Sequence, residues 1–220
     1  MAKMTAWSLE LESDATATRK IMKAIKARIE GVLTKASVRI QSRLKVLLKK
    51  GLMESPEFIS LSRGKLRAEL GLPDGDARMV TIINLWVDSI KVKVTKARLS
   101  GDTLEASLKI TSIRSDWSDV LSLPAARLIT EKGEVLPWLQ WLLIDGTRII
   151  IREYDISYSV RHHGRSRTGQ AIMIKGKGKR WRVPPEFAGT KGNNFVTRVL
   201  EKVATQIEPL MEKELKRQVK

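Results

Sequence analysis

Between Ala15 and Lys50 apolar residues recur at helical spacing: Ile21, Ile25, Ile29 and Leu33, then Ile40, Leu44, Leu47 and Leu48. This commits the segment to one helix of about 35 residues, roughly 50 Å long, or to two helices bent near Gly31. Asp14, Thr16 and Thr18 are its candidate N-caps. The segment carries eleven Lys/Arg and one acid, Glu30. A merely solvated helix face usually mixes signs. The imbalance favours an electrostatic role, with Lys20, Lys23, Lys26, Arg28, Lys35, Arg39 and Arg43 as candidate contact residues. Residues 1–13 alternate weakly through Trp7, Leu9 and Leu11, which suits a short strand or an ordered arm.

Ser55-Pro56-Glu57 is a helix start: an N-cap, a proline at the first helical position and an acid in the first turn. The helix is expected to run through Phe58, Leu61, Leu66 and Leu70 until Gly71 and Pro73 stop it. Met79–Val87 reads as a short helix or a strand, its apolar spacing favouring the helix. The middle alternates: Ile90, Val92 and Val94 with Lys91 and Lys93, then Leu104, Ala106, Leu108 and Ile110 after a turn at Ser100-Gly101-Asp102. Asp116–Leu123 is expected to be a loop or short turn, Ala126–Thr130 a strand and Lys132-Gly133 a turn. Pro137 then starts a Trp-rich helix, PWLQWLLIDGT, that ends at Asp145-Gly146-Thr147. Arg148–Val160 reads as a long strand or hairpin arm, and Ala171–Ile174 as a short strand. Asn193 or Asn194 caps the last helix, whose apolar face is Val196, Val199, Leu200, Val203, Ile207 and Leu210. Pro209 is expected to kink or end it.

The 220 residues carry 41 Lys/Arg against 24 Asp/Glu, a formal charge of +17. So large an excess points to a polyanionic partner: nucleic acid, an anionic membrane or an acidic protein face. With no cysteine, neither a disulfide framework nor a thiolate metal site can exist. No apolar run approaches the ~18 residues of a membrane span, and MAKMTAWSLELESD lacks the apolar core of a signal peptide. A soluble protein made in the cytosol is expected, with no membrane partner.

From Ile156 to Pro185 there is no acid, while Arg161, Arg165, Arg167, Lys175, Lys177, Lys179, Arg180 and Arg182 are all basic. Gly164, Gly169, Gly176 and Gly178 are expected to make this a flexible loop that can approach a partner closely. Its cations suit phosphate-backbone contacts or an acidic protein face. GKGKRW lacks the spacing of a P-loop, so no nucleotide site is assigned. His162 and His163 are adjacent, so on a strand they point to opposite faces and cannot share a metal. Asp116 and Asp119 beside Trp117 read as a loop or helix cap. No nucleophile–base set or metal–carboxylate motif is present. No catalytic, metal or cofactor residue is therefore assigned, and no enzyme activity or small-molecule substrate is expected. Trp138 and Trp141, three apart on one helix, read as packing.

Four segments, SPEFISLSRGKLRAELGLPD (Ser55–Asp74), PWLQWLLIDGT (Pro137–Thr147), GRSRTGQAIM (Gly164–Met173) and WRVPPEFAGTKGNNFVTRVLEKV (Trp181–Val203), resemble in the same order those of tailed-bacteriophage neck proteins. These are the tail-completion, or head-to-tail joining, proteins. The resemblance implies a structural virion protein, made in the host cytoplasm. It would form a ring, a hexamer, between the portal-side adaptor and the tail terminator, tube or sheath, around the DNA channel. It implies itself, neighbouring neck and tail proteins and genomic DNA as partners, and no catalysis. The alternative is a non-specific nucleic-acid-binding protein using the same basic helix and loop.

The expected fold is α+β: a mainly antiparallel β-sheet flanked by the long N-terminal helix, the Ser55 helix and the C-terminal helix. Its division is an N-terminal arm and basic helix over residues 1–54, then a body over 55–220. The body carries the extended basic hairpin loop, about 148–182, and the C-terminal helix.

Overall fold

Helix α1 is a single helix of 39 residues, Ala15–Met53, which passes through Gly31 without ending. A β-carbon added at Gly31 would meet nothing within 4 Å, so this glycine marks open surface rather than a bend. The computed structural model describes residues 15–100, 103–111, 117–131, 133–146, 148–159 and 165–219. The expected N-terminal strand or arm, the Gly101-Asp102 turn, Asp116, Arg161 and the two histidines lie outside them.

The fold is α+β, and every strand pairing among the described residues is antiparallel. After α1 come helices α2 (Pro56–Arg63), α3 (Lys65–Leu70) and α4 (Gly75–Asp88), then strands β1 (Lys91–Ser100) and β2 (Thr103–Thr111). A helical turn α5 (Ser118–Leu121) and a 3-10 turn (Pro124–Ala126) lead to strands β3 (Leu128–Ile129) and β4 (Val135–Leu136). Helix α6 (Trp138–Leu143), strands β5 (Ile151–Ser157) and β6 (Ile172–Trp181) and helix α7 (Phe195–Val219) complete it. Among the described residues the strands form not one central sheet but three two-stranded sheets, β1–β2, β3–β4 and β5–β6.

The chain divides into two compact units. One takes α1 up to Val46, the β1–β2 hairpin and α7 from Ala204; the other takes residues 47–88 and 113–203. In the first unit α1 buries Ala36, Ile40 and Leu44, an i, i+4 row. It also satisfies backbone donors of β1. Gln41 Oε1 accepts from the Val92 N–H and Glu30 Oε1 from the Ala97 N–H, both at 3.0 Å. Eleven residues of helix rise about 16 Å and five of strand about 17 Å, so the two contacts fit one antiparallel alignment. Glu30, the sole acid of α1, is thus a strand acceptor.

In the second unit Ser55 caps α2, its Oγ accepting from the Phe58 N–H at 3.2 Å. The single helix expected from Ser55 to Leu70 is two. Ser60 Oγ accepts the Leu66 N–H at 3.0 Å and starts α3 afresh after Gly64. Gly71, with φ +63°, closes α3 in the left-handed region. Met79–Val87 lies in a helix, burying Met79, Ile82, Ile83, Trp86 and Val87. Trp86 meets Trp117 and Phe195 edge-on, with centroids 6.1 and 5.7 Å apart. Trp138 is buried, as its place on the inner face of α6 requires, and its Nε1 donates to the Ala125 carbonyl at 3.1 Å.

The start of α7 is fixed by Asn194, which is fully buried. Its Oδ1 accepts from the N–H groups of Val196 and Thr197. Its Nδ2 donates to the carbonyls of Leu143, at the end of α6, and Thr190. Beside it the backbone at Gly146 meets the backbone at Gly189, whose carbonyl accepts the Gly146 N–H at 3.2 Å. A β-carbon on Gly189 would collide with the Leu142 carbonyl oxygen, and one on Gly146 with the Gly189 nitrogen. Pro209 does not end α7, which continues to Val219.

Asn194→Ala removes a cap and takes the side-chain donor from the buried Leu143 carbonyl, so it is expected to cost about 2–4 kcal/mol. Gly189→Ala overpacks a backbone crossing and is expected to cost about 3 kcal/mol. Urea denaturation with unchanged m-values checks both.

Candidate functional site

The acid-free stretch is not a flexible loop throughout, and the strand expected over Ala171–Ile174 is longer. Residues from Ile172 to Trp181 form β6, which pairs antiparallel with β5. The register runs Ser157↔Ile172, Ile156↔Met173, Asp155↔Ile174 and Tyr154↔Lys175, then resumes at Arg152↔Arg180 and Ile151↔Trp181. Gly176, Lys177, Gly178 and Lys179 therefore oppose Glu153 alone, as an enlarged bulge. Gly178 at φ +76° and Glu153 at φ +61° supply the left-handed backbone that this mismatch needs. The Gly-Lys-Gly-Lys motif is thus a bulge within β6, with Lys177 exposed and the Lys179 side chain lying against Gly176.

A buried carboxylate ties the two ends of this hairpin, Trp181 at the Ile151 end and Tyr158 just past the Ser157 end. Glu69 of α3 accepts the Tyr158 hydroxyl on Oε1 at 2.7 Å and the Trp181 indole N–H on Oε2 at 3.0 Å. Lys65 approaches Oε1 at 3.7 Å from the preceding turn of the helix. Trp181 packs edge-on against Trp141 of α6, centroids 6.1 Å apart. Burial beside Glu69, and then the hydrogen bond and the negative charge, hold the Tyr158 phenol above its usual range. A second buried carboxylate, Glu57 of α2, pairs with Arg198 of α7 at 2.5 Å.

Lys175, Lys177, Lys179, Arg180 and Arg182 are all exposed on or just after β6. Lys179 lies 3.5 Å from Asp155, a solvent-exposed pair worth little. Arg165 and Arg167 are exposed on a turn that Ser166 closes, its hydroxyl donating to the Ala171 carbonyl at 2.6 Å. Arg167 lies over Gly71. The hairpin thus gathers seven of the eight cations predicted for the loop, the eighth being Arg161, outside the described residues.

The α1 candidates belong to the first unit and do not form one stripe. At about 100° per residue, Arg28, Lys35, Arg39 and Arg43 fall within an arc of about 80°, whereas Lys20, Lys23 and Lys26 fall elsewhere. Lys26 is half-buried and the others are exposed. Arg43 is already partnered: its Nε lies 2.7 Å from Glu214 Oε1, an ion pair off hydrogen-bond alignment, and Glu214 is fully buried. Arg217 stands 3.7 Å from the same oxygen. Sequence reasoning missed Glu57, Glu69 and Glu214. An acid at a buried helix phase is the only signal, and it is visible only once that phase is known.

Among the described residues no three His, Cys, Asp or Glu side chains gather as a metal site would require, and no helix is long and apolar enough to cross a membrane. A shallow depression of about 550 Å³ is lined by Met53, Glu54, Phe58, Ile59, Ser62 and Arg63. No protein-family model, curated protein or solved structure matches the chain.

Glu69→Gln replaces one of two acceptors with a donor that faces a donor. A loss of about 2 kcal/mol is expected, with faster amide exchange in β5 and β6 than in α4. Folding retains the Tyr158 proton that the unfolded chain loses near pH 10. Stability is therefore expected to fall as pH rises past about 10, and Tyr158→Phe to flatten that fall. Denaturation midpoints measured from neutral pH to pH 11 check the sign.

Proposed function

We propose that this chain is a non-catalytic structural protein of the tailed-phage neck. It forms a ring, a hexamer, that joins the head to the tail around the DNA channel, and the β5–β6 hairpin and α1 contact neighbouring subunits and rings. The observation that carries this reading is where the four neck-like segments meet. They are dispersed from Ser55 to Val203, yet specific contacts knit them into one body of the second unit. Glu57 and Glu69 of the first segment bond to Arg198 and Trp181 of the fourth. The Leu143 carbonyl and Gly146 of the second meet Asn194 and Gly189 of the fourth. Arg167 of the third lies against Gly71 of the first. A resemblance confined to residues that pack together is what a shared module produces, and scattered chance likeness does not favour such contacts.

The hairpin suits a docking role on physical grounds. A two-stranded ribbon is marginal in water by itself. Here β5 buries no residue and β6 buries only Trp181, while Tyr154 and Ile174 stand 40% and 38% exposed. An apolar and cationic ribbon exposed along both strands gains stability when a neighbour covers it. Closed rings built from one chain need such a self-complementary or head-to-tail contact.

Charge reversal at Lys175, Lys177 and Lys179 is expected to abolish head–tail joining while leaving the melting temperature of the isolated protein unchanged. Normal joining would remove the hairpin from this role. Electron microscopy of assembled particles is expected to place the chain in the neck, and light scattering of the isolated ring to give about 149 kDa for six chains of 24.8 kDa.

A further inference from the structure

The β1–β2 hairpin of the first unit has two unlike faces. Val92, Val94, Leu108 and Ile110 are half-buried on one. The other carries Lys91, Lys93 and Thr95 from β1, and Thr111, Lys109 and Ser107 directly opposite them on β2. All three lysines and Thr95 are exposed. Lys93 and Lys109 are a directly opposed pair of like charge, an arrangement that destabilises a ribbon. Among the described residues no ion pair relieves it. Farther along the same hairpin Arg98 stands opposite Glu105, so the ribbon places an acid against a cation there but not at Lys93.

The unrelieved charges sit among hydroxyls. Thr95 and Ser107 are linked by a hydrogen bond of 2.9 Å, and the Thr111 hydroxyl donates to the Lys91 carbonyl at 3.3 Å. Lysines and hydroxyls with no acid and no aromatic or large apolar side chain between them are a poor surface for a protein partner, whose core needs an apolar or aromatic anchor. They are the donor set for phosphate oxygens, which position a nucleic acid without reading its bases. Alternation along the strand puts these donors on one face, with Lys91 and Lys93 about 7 Å apart.

We propose that this face is a phosphate-backbone site for duplex DNA, with Lys91, Lys93 and Lys109 as its cations. The inference stands on the β1–β2 hairpin alone and does not require the neck assignment. The full chain is expected to bind duplexes of unrelated sequence equally, with an affinity that falls steeply as salt rises from about 50 to 200 mM. In K91Q/K93Q/K109Q the slope of log affinity against log salt is expected to be shallower by about 2.7, because three phosphates are no longer neutralised. Affinity should drop at least tenfold at about 100 mM salt, with circular dichroism unchanged. K93E should raise the melting temperature, because it turns the like pair into an opposite one. The comparator K175Q/K177Q/K179Q removes equal charge from β6 and should leave the slope nearly unaltered. Equal losses from both triple variants would overturn the site in favour of diffuse net charge. Binding of polyglutamate as tight as that of DNA would overturn it in favour of an acidic protein. Failure of either kind leaves head–tail joining untouched, so it is distinguishable from failure of the neck reading.

Discussion

Asn194 is the polar contact on which the second unit turns. One buried amide uses both its donor and its acceptor side: two backbone N–H groups of α7 on Oδ1, and two carbonyls, one from α6 and one from the loop before α7, on Nδ2. A buried amide so satisfied contributes little net free energy in place, yet leaves several groups orphaned when removed. It therefore specifies an arrangement more than it strengthens one. Gly146 and Gly189 serve the same arrangement by letting two backbones pass where no side chain fits. Only with α6 and α7 set in this way does Trp141 stand where Trp181 can pack against it.

The buried carboxylates extend that logic. Glu57 and Glu69 lie in consecutive helices, and each reaches far along the chain, to Arg198 and to Tyr158 and Trp181. Long-range polar contacts of this kind convert a basic composition into a folded one. The few acids that become buried each take a counter-ion or a pair of donors, while most cations remain at the surface. The excess positive charge is thus a property of the exterior, and the hairpin and α1 carry much of it.

Elements with a strong period were legible in the sequence. The spacing of Ile21 to Leu48 gave α1, Ser55-Pro56 gave the start of α2, and the alternation about Val92 and Leu108 gave β1 and β2. What depended on a distant partner was not legible. Ser60 divides a helix because its hydroxyl meets the Leu66 N–H, and nothing in the apolar pattern announces it. The glycines of Gly-Lys-Gly-Lys suggested a loop, because a bulge and a loop ask for the same left-handed residues; only pairing with β5 distinguishes them. Of the candidate contact residues, the hairpin cations are gathered on one element. Those of α1 are divided by helical phase, and Arg43 is neutralised by an acid 171 positions later in the chain. Lys91 and Lys93 were visible as the polar half of an alternation, but their opposition to Lys109 needed the register.

The pairing of Glu30 and Gln41 with β1 makes α1 a ruler. Two acceptors on a rigid helix meet two donors on a strand, and they agree because eleven helical steps and five extended ones cover nearly equal lengths. Exchange of side chains elsewhere between residues 30 and 41 leaves that agreement intact. A single inserted or deleted residue would not: it would shift one acceptor by about 1.5 Å and turn it by about 100° away from the strand. Across this stretch the helix can vary in composition on its exposed face and is fixed in length.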